Sequence, residues 1–149
     1  VLLNDLALLG VGGACVLAFG WSTMLLVHVP VVAIAGAAGV WLFYVQHTFP
    51  RAYWARQGDW DFRQAAIAGS SYYDLPRVLH WFSGNIGYHH IHHLASRIPN
   101  YRLREAYESS PVLQTAPRLT FWSSLRCARL KLWDEELKQL VGFPRRARA

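Results

Sequence analysis

The first fifty residues almost lack charge. Before Arg51 the only charged residue is Asp5, whereas all fifteen Lys and Arg and eight of the nine Asp and Glu follow from Arg51 onward. A segment of this length in contact with water needs charged side chains on its surface. The N-terminal part is therefore predicted to lie in lipid. A helical hairpin buried inside a soluble protein is the alternative.

Cysteine is scarce, and several well-known motifs are missing. Cys15 lies in the apolar part and Cys127 in the basic part, so a disulfide is not expected, which fits a reducing cytoplasm. The chain has no CxxC pair, no phosphate-binding glycine loop and no Glu-x-x-His sequence. These absences argue against a cysteine-ligated zinc site, a nucleotide site and a carboxylate-bridged di-iron bundle.

Two apolar runs in this charge-poor part predict membrane-spanning helices. The first, residues 6–27, would extend about 33 Å as a helix, which is enough to cross a hydrocarbon core. The second, residues 30–46, is slightly short, and Pro30 suits its first turn. We therefore predict an all-α protein in which residues 1–46 form a two-helix transmembrane hairpin with both ends on the same side of the membrane.

The remainder of the chain is predicted to be a helical, interfacial and cytoplasmic region. Aromatic residues recur through 46–76, where Trp and Tyr suit the level of the lipid headgroups. Helices are expected at 77–95, with a break at Gly84-Asn85 or at Gly87, at 102–109 and at 120–141, where Thr120 would be the N-cap. A short helix over 62–67 would be capped by Asp59 or Asp61. The predicted division is 47–142 for the cytoplasmic part and 143–149 for a basic tail. The positive charges are scattered, so the basic balance fits the positive-inside rule and no nucleic-acid partner is expected.

Histidine is concentrated at one place. Four of the seven histidines fall within residues 89–93, and a helix there would put His89, His92 and His93 on one face and leave His90 pointing elsewhere. Imidazole is the commonest metal-binding side chain. His47 follows the second apolar run directly, at the expected membrane surface. The pattern predicts an all-histidine metal site beside a membrane.

The histidine pattern and its surroundings resemble the C-terminal part of membrane fatty acid desaturases of the acyl-lipid type. The resemblance rests on Gln46-His47-Thr48-Phe49, on residues 58–62 with the sequence Gly-Asp-Trp-Asp-Phe, and above all on the H-x-x-H-H box of residues 89–93. Residues 97–102, with the sequence Arg-Ile-Pro-Asn-Tyr-Arg, and Glu105 extend it. The likeness covers most of the chain, from the predicted hairpin to about residue 143.

The resemblance implies an iron- and O2-dependent oxidoreductase. Members of this family hold two irons with three histidine boxes and one further histidine on the cytoplasmic face of a membrane core. His89, His92 and His93 match the third box, and His47 matches the extra histidine. The first two boxes have no counterpart here, so we expect a fragment that supplies about half of the di-iron ligands and is inactive alone. The implied partners are an acyl-lipid or another acyl carrier, the membrane, and an electron donor such as ferredoxin or a b-type cytochrome.

Other residues and other functions remain open at this stage. No catalytic side chain is expected beyond the metal ligands, and the candidates for orienting the ligands by hydrogen bonds are Asn85, Asp74, His80 and Tyr88. A histidine-box membrane hydroxylase is an alternative enzyme, which would add oxygen to the chain instead of removing hydrogen. A non-catalytic membrane adaptor with a basic tail is the alternative from a different class of protein.

Overall fold

The computed structural model describes residues 1–144, so the last five residues of the predicted basic tail lie outside the described ones. The chain divides into two compact units, residues 1–41 and the residues from Leu42 onward.

One long apolar helical segment, Leu2–His47, dominates the N-terminal part, and its length and composition are sufficient to cross a membrane. It consists of α1 (Leu2–Thr23), a π turn (Met24–His28) and α2 (Val29–His47). Within α1 the backbone is kinked at Gly20, whose angles of φ 81° and ψ 159° are not helical. This positive φ is readily adopted only by glycine.

The predicted hairpin is not shown by the structure. Residues 28–30, where the turn between the two spans was expected, are helical. A proline ring inside a helix would clash with the carbonyl of the residue four positions earlier and cannot donate a hydrogen bond. Pro30 lies two positions after the end of the π turn, so Leu26, whose carbonyl the ring would approach, lies within this wider turn.

The unit from Leu42 onward is mostly helical, as predicted. Its helices after α2 are α3 (Phe62–Ala68), α4 (Arg77–Phe82), α5 (His89–Leu94), α6 (Leu103–Ser109) and α7 (Phe121–Cys127), with short 3-10 turns at Ile86–Tyr88, Asn100–Arg102 and Leu113–Thr115. Asp61 caps α3 by accepting a 2.8 Å hydrogen bond from the backbone N–H of Gln64, as its position in the sequence suggested.

Two small sheets correct the all-α prediction. Strand β1 (Tyr72–Asp74) pairs in parallel with β2 (Arg118–Thr120), with Tyr72 opposite Arg118. Strand β3 (Leu132–Asp134) pairs antiparallel with β4 (Gln139–Val141), with Leu132 opposite Val141.

The helix predicted at 120–141 was wrong beyond its first two turns. Thr120 does cap α7, where its hydroxyl and that of Ser123 form a reciprocal capping box. After Cys127 the chain instead forms the β3–β4 hairpin, because the Asp134 carboxylate accepts hydrogen bonds from the backbone N–H groups of Glu136 and Leu137 and so closes a turn.

The core of this unit lies between α5, α6 and the β1–β2 pair. Its buried members include Ile91, which is 1% exposed, and Leu103, which is 3% exposed. The inner face of α5, which also carries His90, is therefore fixed by packing, and the other face carries His89, His92 and His93. The remaining buried members of this core are Tyr72, Tyr88, Leu113 and Ala116.

Candidate metal centre

The histidine box begins directly after a sharp change of chain direction. Helix α4 ends at Phe82, and Gly84 and Asn85 then both take positive φ angles, 60° and 57°. The 3-10 turn Ile86–Tyr88 leads into α5, whose first residue is His89. The break predicted near Gly84 and Asn85 is thus confirmed, and it separates the packing helix α4 from the helix that carries the box.

Three imidazoles from two elements converge at one point. His47 is the last residue of α2, whereas His89 and His93 lie one turn apart on α5. The Nε2 atom of His89 lies 3.0 Å from that of His47 and 3.1 Å from that of His93. The Nε2 atoms of His93 and His47 are 3.4 Å apart. We call this group the three-histidine cluster, and its geometry is suitable for holding a metal ion.

Hydrogen bonds alone cannot satisfy this cluster. Each Nε2 atom of a neutral imidazole carries either a hydrogen or a lone pair, so at least two of the three atoms have the same role and repel. A metal ion that accepts all three lone pairs removes this conflict. With metal–nitrogen bonds of about 2.1 Å, nitrogens separated by angles of about 90–110° at the ion lie roughly 3.0–3.4 Å apart. The observed separations fall in this range, so the residues fit a metal.

The surroundings keep the cluster in its metal-binding form. Burial lowers the pKa of His89 to about 3, and the neighbouring imidazoles, His93 foremost, contribute to this effect. Burial likewise lowers the pKa of His93. Protons compete with metal ions for the ring nitrogens. Because His89 is neutral at pH 7, a metal ion does not have to displace a proton from it.

His92 lies beside the cluster and not within it. Its side chain is exposed, and its ring stacks on that of His89 with 5.7 Å between the ring centroids. The role of His92 as a ligand therefore stays a prediction. His90 lies in the core with 0% exposure, where its ring meets the edges of Tyr72 and Tyr107.

The four residues proposed to orient the ligands have other partners in the structure. Asn85 donates a hydrogen bond to the carbonyl of Asn100, and Asp74 pairs with Arg118. The Nε2 atom of His80 accepts a 3.3 Å hydrogen bond from the backbone N–H of Leu75, and the ring of Tyr88 stacks on that of His80. Within residues 1–144, the buried Nδ1 of His89 has no hydrogen-bond partner. An orienting role for Asn85, Asp74, His80 or Tyr88 remains a prediction.

An apolar cavity of about 200 Å³ adjoins two of the clustered histidines. The rings of His47 and His93 form part of its wall, and Trp60, Phe62 and Ala65 form much of the rest. Ala66 and Gly69 complete the lining. Sequence reasoning treated this segment only as interfacial and did not connect it with the metal ligands.

Comparison with known proteins identifies the family. The family model described as fatty acid desaturase matches residues 1–124, which include all four predicted ligands. The chain belongs to the fatty acid desaturase family. No solved structure matches it.

The chain is similar to individual desaturases over segments of different length. The chain is 48% identical over 141 residues to a fatty acid desaturase of Bacillus subtilis (strain 168), which covers 95% of this chain and 40% of that protein. A chloroplastic omega-6 fatty acid desaturase of Arabidopsis thaliana is 33% identical over 112 residues, or 64% of this chain and 24% of that protein. An sn-1 oleoyl-lipid 12-desaturase of Picosynechococcus is 34% identical over 65 residues, or 44% of this chain and 19% of that protein. This chain therefore spans less than half the length of each of these desaturases.

Proposed function

We propose that the full-length protein is a membrane fatty acid desaturase that introduces a double bond into an acyl chain with O2 at a histidine-ligated di-iron centre. The observation that carries this proposal is the convergence of three imidazole nitrogens within 3.4 Å, in a segment that matches the desaturase family. This chain would supply His47, His89, His92 and His93, about half of the ligands. We expect it to be inactive without the others.

Iron and this chain would have separate tasks. Iron would supply the oxidising power needed to remove hydrogen from unactivated methylenes, which no side chain can do. His47, His89 and His93 would hold the metal, and burial would keep the ring of His89 free of a proton. The apolar wall beside His47 and His93 would offer a surface that fits a hydrocarbon chain.

The whole protein would lie in a membrane. A continuous helix of 46 residues would be about 69 Å long, roughly twice the thickness of a hydrocarbon core. We propose that residues 1–46 make two spans as a hairpin and that 47–142 lie on the cytoplasmic side, followed by the basic tail 143–149. An acyl-lipid is the proposed substrate. Ferredoxin or a b-type cytochrome is the proposed class of electron donor.

Analysis of cellular lipids tests this function. A bacterial host that expresses the full-length protein is expected to gain an unsaturated fatty acid that the empty vector does not produce. His92→Ala is expected to abolish this product if His92 binds iron, because iron must be bound before O2 can react. His28→Ala is the control, since His28 is exposed in the π turn and has no proposed role. Hydroxylated fatty acids without new double bonds would instead identify a hydroxylase, and full desaturation by His92→Ala would exclude His92 as an essential ligand.

The apolar cavity provides a second, more specific test. Ala65→Leu adds bulk to its wall, so an acyl chain held there is expected to bind in a shifted position. The shift should appear as a changed double-bond position or chain-length preference in the products. Gln64→Leu is the matched control, because Gln64 precedes Ala65 on α3 but does not line the cavity. An unchanged product distribution in Ala65→Leu would place the acyl chain elsewhere.

A further inference from the structure

The end of α2 is held by hydrogen bonds from outside the helix. The last carbonyls of a helix have no partner within it and must find one elsewhere. Buried Ser71 supplies two of these partners. Its backbone N–H donates a 2.9 Å hydrogen bond to the carbonyl of Gln46, and its hydroxyl donates a 3.4 Å hydrogen bond to the carbonyl of Val45. The residue that follows these two carbonyls is His47.

The side chain of Gln46 makes a second connection, directly to the segment that carries the histidine box. Gln46 is 1% exposed, and its Nε2 atom donates a 2.8 Å hydrogen bond to the carbonyl of Ile86. Ile86 begins the 3-10 turn that continues into α5 at His89. One side chain therefore links the residue before His47 to the turn before His89.

The hydrogen bond between Gln46 and Ile86 is placed where it can fix the distance between His47 and His89. His47 and His89 are 42 positions apart in the chain, yet their Nε2 atoms are 3.0 Å apart. The Gln46 hydrogen bond and the contact between the two imidazoles are thus parallel connections between the same two elements. The Gln46 side chain is buried, so breaking this hydrogen bond leaves its amide without a partner. This cost favours the arrangement in which the two elements stay together.

We propose that Gln46 is a positioning residue that holds His47 at metal-binding distance from His89. This inference rests on the proposed function of the cluster and assigns Gln46 no contact with the metal or the substrate. Its amide acts through the backbone at Ile86. Loss of that bond allows the end of α2 and the start of α5 to separate, which spreads the three ring nitrogens apart.

The test uses the metal-free full-length protein and Co²⁺ as the probe, with the visible absorption of bound Co²⁺ as the readout. Gln46→Met keeps a similar shape but cannot donate a hydrogen bond. We expect Gln46→Met to weaken Co²⁺ binding by about 10–100-fold, the usual effect of losing a residue that supports a ligand, and to change the absorption spectrum. Gln114→Met is the matched control, because Gln114 also donates its amide to backbone carbonyls, those of Tyr107 and Glu108, but on an exposed surface.

Gln46→Asn provides a second variant in case Gln46→Met does not fold. It retains an amide, but its side chain is one methylene shorter and cannot reach Ile86 from the same backbone position. Co²⁺ affinity is therefore again expected to fall. Wild-type affinity together with a wild-type spectrum, in whichever of these variants folds, would overturn the proposal. A wild-type protein that binds Co²⁺ but forms no double bond would contradict only the proposed function, so the two failures can be distinguished.

Discussion

Replacing His89 by leucine in the full-length protein is expected to abolish iron binding at the three-histidine cluster and the proposed double-bond formation, without lowering the stability of the metal-free protein. Loss of a residue that merely supports a ligand costs about 10–100-fold in metal affinity or activity, so loss of a central ligand should cost more than about 100-fold. His89 lies within 3.1 Å of both other members of the cluster.

The stability of the metal-free protein should not fall in His89→Leu, because the three crowded imidazoles are unfavourable without a metal. Burial and the neighbouring imidazoles lower the pKa of His89 to about 3, which shows how poorly the site accommodates charge. Leucine fills a similar volume and needs no hydrogen-bond partner. We therefore expect the melting temperature of the metal-free variant to equal or exceed that of the wild type.

Thermal unfolding of the full-length protein with and without Fe²⁺ measures both effects. A ligand that binds only the folded state stabilises it by about 2.7 kcal/mol at a free concentration of about 100 times its dissociation constant. This increase should be smaller in His89→Leu than in the wild type, because the variant would keep only the other iron of the proposed di-iron centre. An equal increase in both proteins would show that the metal binds elsewhere.

Gly87→Ala should produce a large loss of stability, because an added methyl group would overlap two neighbouring groups. A methyl group at Gly87 would lie 2.5 Å from Cε1 of the buried His80 ring and even closer to the carbonyl of Tyr73. A backbone carbonyl in β1 cannot move away easily, so the turn before His89 must shift instead. Overpacking of this kind costs about 1–3 kcal/mol and occasionally more.

The matched control for this substitution is Gly58→Ala. A methyl group at Gly58 would meet nothing within 4 Å. The melting temperature of the full-length protein is expected to fall in Gly87→Ala and to stay close to the wild-type value in Gly58→Ala. Co²⁺ affinity should fall in Gly87→Ala as well, since His89 lies two residues further along. Equal melting temperatures for the two variants would show that the packing around Gly87 can relax without cost.

Local signals in the sequence predicted several elements correctly because neighbouring residues determine them. The cap at Asp61, the cap at Thr120 and the break near Gly84 and Asn85 all depend on side chains or backbone angles within a few positions. The spacing of His89 and His93 likewise placed both on one helix face. These features do not need the remainder of the fold.

Signals that depend on distant partners were missed or misinterpreted. The apolar residues of 120–141 have a helical spacing, but the β3–β4 hairpin is held by contacts with the segment after α2. The backbone N–H of Leu140 donates a hydrogen bond to the carbonyl of Pro50, and the rings of Trp54 and Trp133 are 5.4 Å apart. Periodicity cannot reveal such partners, because it describes only one element at a time.

The sequence by itself determined the apolar N-terminal segment, the family and the presence of a dense histidine box, because composition, motif and short-range spacing are written in consecutive residues. Only the tertiary structure decided which imidazoles meet. It brought His47 to His89 and His93, left His92 beside them, and placed Gln46 as a link between the two elements. A separation of 3.0 Å between residues 42 positions apart depends on how the intervening chain packs, and no local pattern encodes that packing.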